Sequence, residues 1–126
     1  MVLVLYCLKG LKFMHLLMGH MREQQAIFYV KRNTVYTPPL TQNILPGITR
    51  QAVIDICSEN RIRVRQKKIH YRNIINADEV FKTSSIAGIV PVKKIDRFML
   101  AGEVPGKITA RLMELYLSRV EPSNLH

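Results

Sequence analysis

The chain has 126 residues, enough for one domain of ordinary size and too few for two well-packed ones. Its hydrophobic share of 48% is typical of a folded core, and six Gly with six Pro exclude collagen-like or low-complexity sequence. Two cysteines do not make a disulfide framework, and no run approaches the roughly 18 to 20 apolar residues that span a bilayer. We therefore predict a soluble protein of a reducing compartment, the cytoplasm, that does not contact membranes.

The charge balance is strongly basic, with 19 Lys and Arg against 9 Asp and Glu and a net charge of +10. Such a balance is typical of proteins that bind nucleic acid or other anions. Much of the excess lies in one stretch that contains Arg61, Arg63, Arg65, Lys67 and Lys68. The first four of these alternate with other residues, which predicts a strand with a solvated basic face. No aromatic residues interleave with the charges, so nucleic acid is the less favoured partner.

The hydrophobic pattern predicts mixed strands with interspersed helices, and therefore an α/β fold with a mixed sheet and packed helices. In chain order, the predicted elements are a buried strand at Val2 to Leu8, a hairpin of Ala26 to Val30 and Thr34 to Thr37, a helix from Ile48 to Asn60, the basic strand from Arg61 to Lys68, a helical turn at Asn73 to Ala77, a β-rich block from Glu79 to Ile95, a return at Phe98 to Leu100, and a helix from Lys107 to Arg119. The two helices have predicted apolar stripes at Ile48, Ala52, Val53, Ile56 and Cys57, and at Ile108, Leu112, Leu115 and Tyr116.

Common catalytic motifs are absent from the sequence. There is no Gly-x-Ser-x-Gly elbow, no Gly-x-x-x-x-Gly-Lys-Ser/Thr loop and no Cys-x-x-Cys pair. His15 and His20 are five residues apart, which places them on different faces of a helix, and we predict no metal site. Cys57 falls on the apolar stripe and is predicted to be a buried small hydrophobe rather than a nucleophile.

The segment from Ile44 to Arg50 is a candidate anion site. Gly47 leads directly into a predicted helix whose first turn carries Thr49. Free amides at a helix start, the positive end of the helix dipole and a hydroxyl together suit a phosphate, and glycine lets the backbone approach it. Thr49 is equally suited to capping the helix, since Ser and Thr are favoured there.

A series of motifs resembles one family. The matching runs are Tyr36 to Leu40, Ile44 to Arg50, Ala77 to Phe81, Val90 to Val92 with Ile95 and Asp96, and Gly102 with Pro105 to Thr109. In this order they resemble the C-terminal portion of the class IV aminotransferases, pyridoxal-phosphate enzymes of fold type IV, over about Gly19 to Tyr116. The runs at Leu45 to Arg50 and Ala77 to Phe81 favour the branched-chain amino-acid branch. The resemblance implies that residues 19–126 are the C-terminal, cofactor-phosphate-binding domain and that residues 1–18 are a partial N-terminal segment.

The resemblance also implies roles for individual residues. Ile48 and Thr49 would hold the cofactor phosphate after Gly47, Ser85 would touch the same phosphate, Leu45 would pack on the pyridine ring, and the backbone of Ile86 and Ala87 would receive the substrate carboxylate. In branched-chain enzymes the turn around these last residues reads Gly-Thr-Ala-Ala-Glu, whereas this chain has Ser84 to Gly88.

Glu23 is the candidate partner of the pyridine nitrogen, where a carboxylate keeps that nitrogen protonated. It precedes Phe28 by five residues instead of the family's seven, so either that loop has lost two residues or Glu23 is an ordinary exposed acid. The Schiff-base lysine of the family has no counterpart, because Lys9 and Lys12 are too close to Glu23.

These features predict the C-terminal half of a pyridoxal-phosphate aminotransferase, acting in full-length members on branched-chain-like amino acids to give 2-oxo acids. Alone, the chain is expected to be truncated and inactive or weak, and to form a homodimer or join a complementing N-terminal half. Leu16 to Met18, or the Val2 to Leu8 run, are expected to be exposed apolar patches. Two alternatives stay open: a small active enzyme that uses Lys9 or Lys12, and a basic nucleic-acid- or anion-binding module on a degenerate enzyme scaffold.

Overall fold

The computed structural model describes residues 2–7, 12–16, 26–40 and 47–120. Its elements are β1 (Val2–Cys7), β2 (Lys12–Leu16), β3 (Ala26–Lys31), β4 (Thr34–Thr37), α1 (Ile48–Glu59), β5 (Val64–Gln66), α2 (Tyr71–Ile75), β6 (Glu79–Ser84), β7 (Gly88–Ile95), β8 (Phe98–Met99) and α3 (Lys107–Val120). Within these ranges, none of the helices has the length and apolar character needed to cross a bilayer.

The strands form one sheet in the order β2-β1-β7-β6-β3-β4-β5, with β8 paired to β7. Every neighbouring pair is antiparallel except β4 and β5, which run parallel. Parallel strands need a crossover connection, and here α1 provides it. The predicted α/β class, a mixed sheet with packed helices, is therefore confirmed.

The predicted hairpin between β3 and β4 is confirmed, and its turn is tight. Arg32 and Asn33 have φ angles of 51° and 63°, the positive pair that defines a type I′ turn. Asp78 holds the turn from outside, because its Oδ2 accepts the Arg32 amide at 2.9 Å. A positive φ carries no penalty for glycine but costs roughly 1 kcal/mol or more for a residue with a Cβ.

Successive side chains of the central strands point alternately into two separate cores, one on each face of the sheet. One core contains Ile27 and Tyr29, and the other contains Phe28 and Val30 together with residues of α1 and α3. Phe28 stacks on Phe81 in the second core, with ring centroids 4.8 Å apart. The helices α1 and α3 therefore pack on one face of the sheet, over β3 and β6, whereas Ile74 of α2 is buried in the core on the other face.

The first strand lies inside the sheet, between β2 and β7. Leu3, Leu5 and Cys7 are buried in the first core, so the expectation that the Val2 to Leu8 run is exposed is wrong. The reason is that β1 pairs on both sides and turns alternate side chains inward. Leu17 and Met18 lie outside the described residues.

The second strand, β2, was not predicted. His15 lies on this strand, so the assumption of a helix behind the His15 and His20 spacing is wrong for His15, and His20 lies outside the described residues. In a segment of five residues, periodicity alone does not distinguish a strand from a helix.

The helix α1 begins and ends within one residue of its prediction, but its buried stripe differs. Ile48 is 78% exposed, whereas Thr49 and Arg50 are buried beside Val53. At 100° per residue, Ile48 lies about 140° around the helix from Val53 and so cannot share its face. The inclusion of Ile48 in the stripe is therefore wrong.

The C-terminal end of α1 has a left-handed residue. Asn60 is the C-cap, and Arg61 follows with a φ of 59°. The Ile62 amide donates to the Cys57 carbonyl at 2.9 Å, the six-to-one bond of a Schellman motif, in which glycine usually occupies the Arg61 position.

The other helices are positioned by polar contacts from the strands. Glu79 of β6 accepts the Thr109 amide at 2.7 Å and the Ile108 amide at 3.2 Å, and so caps the start of α3.

In the predicted α3 stripe, Leu112 is buried and Tyr116 is half-buried. The helix α2 begins two residues before the predicted turn at Asn73, and the basic strand is shorter than predicted.

Candidate functional site

The start of α1 lies against the turn between β6 and β7. Gly47 leads directly into α1, the helix of the crossover between β4 and β5. Thr49 Oγ1 then donates to the Ser84 carbonyl at 3.1 Å, and Thr49 itself is only 2% exposed. We call Gly47–Thr49 together with Ser84–Ala87 the α1 cradle.

Gly47 is the N-cap residue, and no side chain caps the helix. Thr49 is therefore the second helical residue, and its interpretation as the cap is wrong, because its hydroxyl joins the helix to the neighbouring turn instead. The amides of the first helical turn have no acceptor within a helix, and among the described residues nothing else accepts from the amides of Ile48 and Thr49, which leaves them for an anion. They lie at the positive end of the α1 dipole.

The β6–β7 turn forms the other side of the cradle. Ser84 Oγ accepts the Ala87 amide at 2.8 Å, which uses that amide inside the turn. Ser85 is exposed, and Ile86 is 99% exposed. Of the two backbone amides assigned to a carboxylate by resemblance, the one at Ile86 therefore points to no acceptor among the described residues.

Tyr116 of α3 closes the cradle from the side. Its hydroxyl lies 3.4 Å from Thr49 Oγ1, and its ring covers Gly88. Gly88 has a φ of +72°, and a Cβ there would lie 2.8 Å from the Tyr116 ring. A residue larger than glycine at this position would therefore meet the Tyr116 ring. The sequence had indicated Tyr116 only as part of an apolar stripe.

Arg50 is a buried cation that the sequence did not single out. Its Nη2 donates to the Pro38 carbonyl at 3.0 Å and to Gln66 Oε1 at 2.9 Å, and only 5% of the residue is exposed. Burial lowers the pKa of its guanidinium, and it has no carboxylate partner in the described part of the chain. The carboxyl ends of β4 and β5 are thereby tied to the first turn of α1.

Three of the remaining candidates, Glu23, Leu45 and Lys9, lie outside the described residues. Lys12 is exposed on the edge strand β2, three strands away from β6, with its Nζ 5.8 Å from the Tyr6 ring centroid. Cys57 is fully buried, and burial raises the pKa of its thiol to about 11, which confirms the prediction of a buried, unreactive side chain.

Comparison with known proteins identifies the family. A sequence model of the family described as amino-transferase class IV matches residues 23–95. The chain belongs to the class IV aminotransferases. It is 40% identical over 83 residues to a D-alanine aminotransferase of Bacillus licheniformis, covering 66% of this chain and 29% of that protein. It is 39% identical over 88 residues to a probable branched-chain-amino-acid aminotransferase of Thermotoga maritima, covering 70% and 32%.

A solved structure shows the same fold. The branched-chain amino acid aminotransferase from Thermobaculum terrenum, in its PLP form, superimposes with a TM-score of 0.72 and 32% identity over 76% of this chain and 32% of that one. The chain thus spans about a third of the length of the relatives that it matches. Structural neighbours of fold type IV confirm the fold class implied by the resemblance.

Proposed function

We propose that this chain carries the part of a class IV aminotransferase that holds the phosphate of pyridoxal 5'-phosphate. The amides of Ile48 and Thr49 would bind the phosphate from one side, and the Ser85 hydroxyl would bind it from the other. The observation that supports this most directly is the hydrogen bond from Thr49 to the Ser84 carbonyl, because it brings the two halves of the α1 cradle together.

The residues of the cradle fit a phosphate monoester. Neither Gly47–Gln51 nor Ser84–Gly88 contains an acidic side chain, so no carboxylate of these segments opposes the anion. Gly47 has no Cβ to limit close approach, and the helix start contributes fixed N–H donors and a favourable dipole. The Thr49 hydroxyl donates its proton to the Ser84 carbonyl. We therefore propose that Thr49 binds the phosphate through its backbone amide, and that its hydroxyl holds the two sides of the cradle together.

The cofactor, when bound, supplies an electron sink for the carbanion formed at the substrate α-carbon. The chain's own residues orient the reactants around it. The free amide of Ile86 would receive the substrate carboxylate, and the Ala87 amide keeps the turn closed through Ser84. Leu45 would pack on the pyridine ring, and Glu23 would accept a hydrogen bond from the pyridine nitrogen.

The substrate class of the whole protein is proposed to be branched-chain-like amino acids and their 2-oxo acids, since branched-chain-amino-acid aminotransferases recur among its relatives. The match to a D-alanine aminotransferase makes D-amino acids the second candidate. Residues 19–126 are proposed as the cofactor-phosphate domain. These 126 residues have no lysine at the position that the resemblance gives to the cofactor anchor, so we expect binding without turnover unless a complementing N-terminal half supplies it. A homodimer is the other proposed assembly. Two free, buried cysteines suit a reducing compartment such as the cytoplasm.

Binding measurements on the 126-residue chain test this proposal. Calorimetric titration is expected to show pyridoxal 5'-phosphate binding at least tenfold tighter than pyridoxal, since only the former carries the phosphate. Ser85→Ala should weaken that preference about five- to tenfold, because it removes a donor to the phosphate. The exposed Ser85 hydroxyl has no hydrogen-bond partner among the described residues, so the fold should be unaffected. Ser58→Ala, an exposed serine on the far part of α1, is the matched control and should change nothing. Equal affinity for the two compounds would contradict the proposal.

Reduction with borohydride tests the alternative of an active small enzyme. We expect no pyridoxyl group on Lys9 or Lys12 after reduction and peptide mapping, and no transamination of leucine or valine by the chain alone. A labelled Lys12 together with turnover would establish the alternative instead.

A further inference from the structure

A cluster of basic residues lies at the C-terminal end of α1, at the opposite end from the α1 cradle. A groove of about 530 Å³ opens between the β3–β4 turn and the segment that follows α1. Arg32, Arg61 and Arg63 line it, with Asn33 beside them and Ile108 of α3 at its apolar side. We call these five residues the arginine groove. A helix of 12 residues is about 18 Å long, which separates this groove from the α1 cradle.

None of the three arginines is in an ion pair within the described ranges. The ion pairs there are Lys31 with Asp78 and Arg119 with Glu59. The Asp78 carboxylate lies at the hairpin turn, where its Oδ2 accepts the Arg32 backbone amide. Arginines that line one groove without a carboxylate partner favour an anion, above all a phosphate, because a guanidinium can bind it with two parallel hydrogen bonds.

Two of the arginines occupy backbone positions that disfavour them. Arg32 has a φ of 51° in a type I′ turn, where Asn and Gly are preferred. Arg61 has a φ of 59° in a Schellman motif, where Gly is preferred. Both unfavourable positions hold an arginine that lines the same groove, although the two residues come from separate loops.

Structural roles explain only part of this arrangement. A cation near the C-terminal end of α1 stabilises the helix dipole, but that effect does not require arginine at the left-handed position. Charges on an edge strand such as β5 prevent edge-to-edge pairing, which accounts for Arg63 and Arg65 but not for Arg32. Retained strain at a site is a reason to look for a function there.

We propose that the arginine groove binds a small, multiply charged phosphate compound, of the pyrophosphate class. The groove is of the size that small-molecule sites have. No aromatic side chain lines it, so it offers no surface on which nucleic-acid bases would stack. Nothing in this proposal depends on the α1 cradle or on the aminotransferase chemistry.

The test is a calorimetric titration of the 126-residue chain with pyrophosphate at low ionic strength. Arg63→Gln and Arg32→Gln are each expected to reduce the affinity at least tenfold, since each removes a charged pair of donors. Arg65→Gln is the matched control: it makes the same change of charge two residues further along the chain, in β5 and outside the groove, and should alter the affinity less than twofold. Equal effects of Arg63→Gln and Arg65→Gln would show non-specific attraction and overturn the proposal.

Amide chemical shifts in ¹⁵N NMR spectra locate the bound anion. Pyrophosphate is expected to shift the amides of residues 32–34 and 61–63 first, and Ser85→Ala should leave those shifts unchanged. Shifts confined to Ile48, Thr49 and Ser85 would overturn the groove and leave the cofactor proposal intact. If pyrophosphate shifts the groove amides but the chain binds pyridoxal 5'-phosphate and pyridoxal equally well, the groove proposal stands and the cofactor proposal is overturned. Tighter binding of a single-stranded oligonucleotide than of pyrophosphate would also overturn the assignment to a small anion.

Discussion

The two ends of α1 both favour anions, but they do so by different means. At the N-terminal end, Gly47 has an ordinary extended backbone, with a φ of −73°, and the donors are main-chain amides. At the C-terminal end, Arg61 has a φ of 59° and the donors are side-chain guanidinium groups. A helix presents partial positive charge at its start and partial negative charge at its end. An anion at the start needs no charged residue, whereas one at the end needs several.

This difference has consequences for rigidity and stability. The N-terminal donors are fixed by the helix and by the bond from Thr49 to Ser84, so they are organised before an anion arrives. The C-terminal donors are flexible side chains that lose rotamer entropy on binding, and two of them already strain the backbone. We therefore expect substitutions at the first end to lower stability and one at the second end to raise it.

The largest expected effect is at the wall of the cradle. Gly88→Ala places a Cβ 2.8 Å from the Tyr116 ring at a φ of +72°, so strain and overpacking add. We expect the free energy of unfolding to fall by about 2–3 kcal/mol, measured by urea denaturation. Gly102→Ala is the matched control, because its Cβ would find its nearest atom at 3.9 Å, and it should be near neutral. Similar losses in both variants would contradict the role of Tyr116.

A smaller loss is expected from the buried arginine behind the cradle. Arg50→Met removes the hydrogen bonds to Pro38 and Gln66 while keeping much of the volume. The free energy of unfolding should fall by about 1–2 kcal/mol, and the preference for pyridoxal 5'-phosphate over pyridoxal should fall with it, since the helix start is no longer held. The exposed Arg72→Met should leave both quantities unchanged. If Arg50→Met lowers the free energy of unfolding but leaves the preference for pyridoxal 5'-phosphate over pyridoxal unchanged, Arg50 stabilises the fold without shaping the phosphate site.

The smallest effect has the opposite sign. Arg61→Gly relieves the left-handed strain and is expected to raise the free energy of unfolding by about 0.5–1 kcal/mol, net of the extra freedom of glycine in the unfolded chain. Arg61→Gln removes the charge but keeps the strain, so it should give no such gain. Both variants should weaken pyrophosphate binding. A loss of stability in Arg61→Gly would show that the charge at the helix end matters more than the backbone.

The sequence predicts local features of this molecule better than contacts between distant segments. The hairpin at Arg32 and Asn33 and the helix after Gly47 follow from turn chemistry and periodicity, and the structure has both. The place of Tyr116 beside Thr49 depends on packing between residues separated by 67 positions, which no local pattern encodes. Ile48 is a different kind of error: its apolar side chain predicted a buried position, but its angle around the helix places it on the exposed side.

A shared phosphate site is tested most directly by an NMR titration of the ¹⁵N-labelled chain with pyridoxal 5'-phosphate, with pyridoxal as reference. We expect that the phosphate compound alone shifts the amides of Ile48, Thr49 and Ser85 together, with one common affinity. Identical shifts with pyridoxal, or shifts at Ile48 that occur without any at Ser85, would contradict a shared phosphate site.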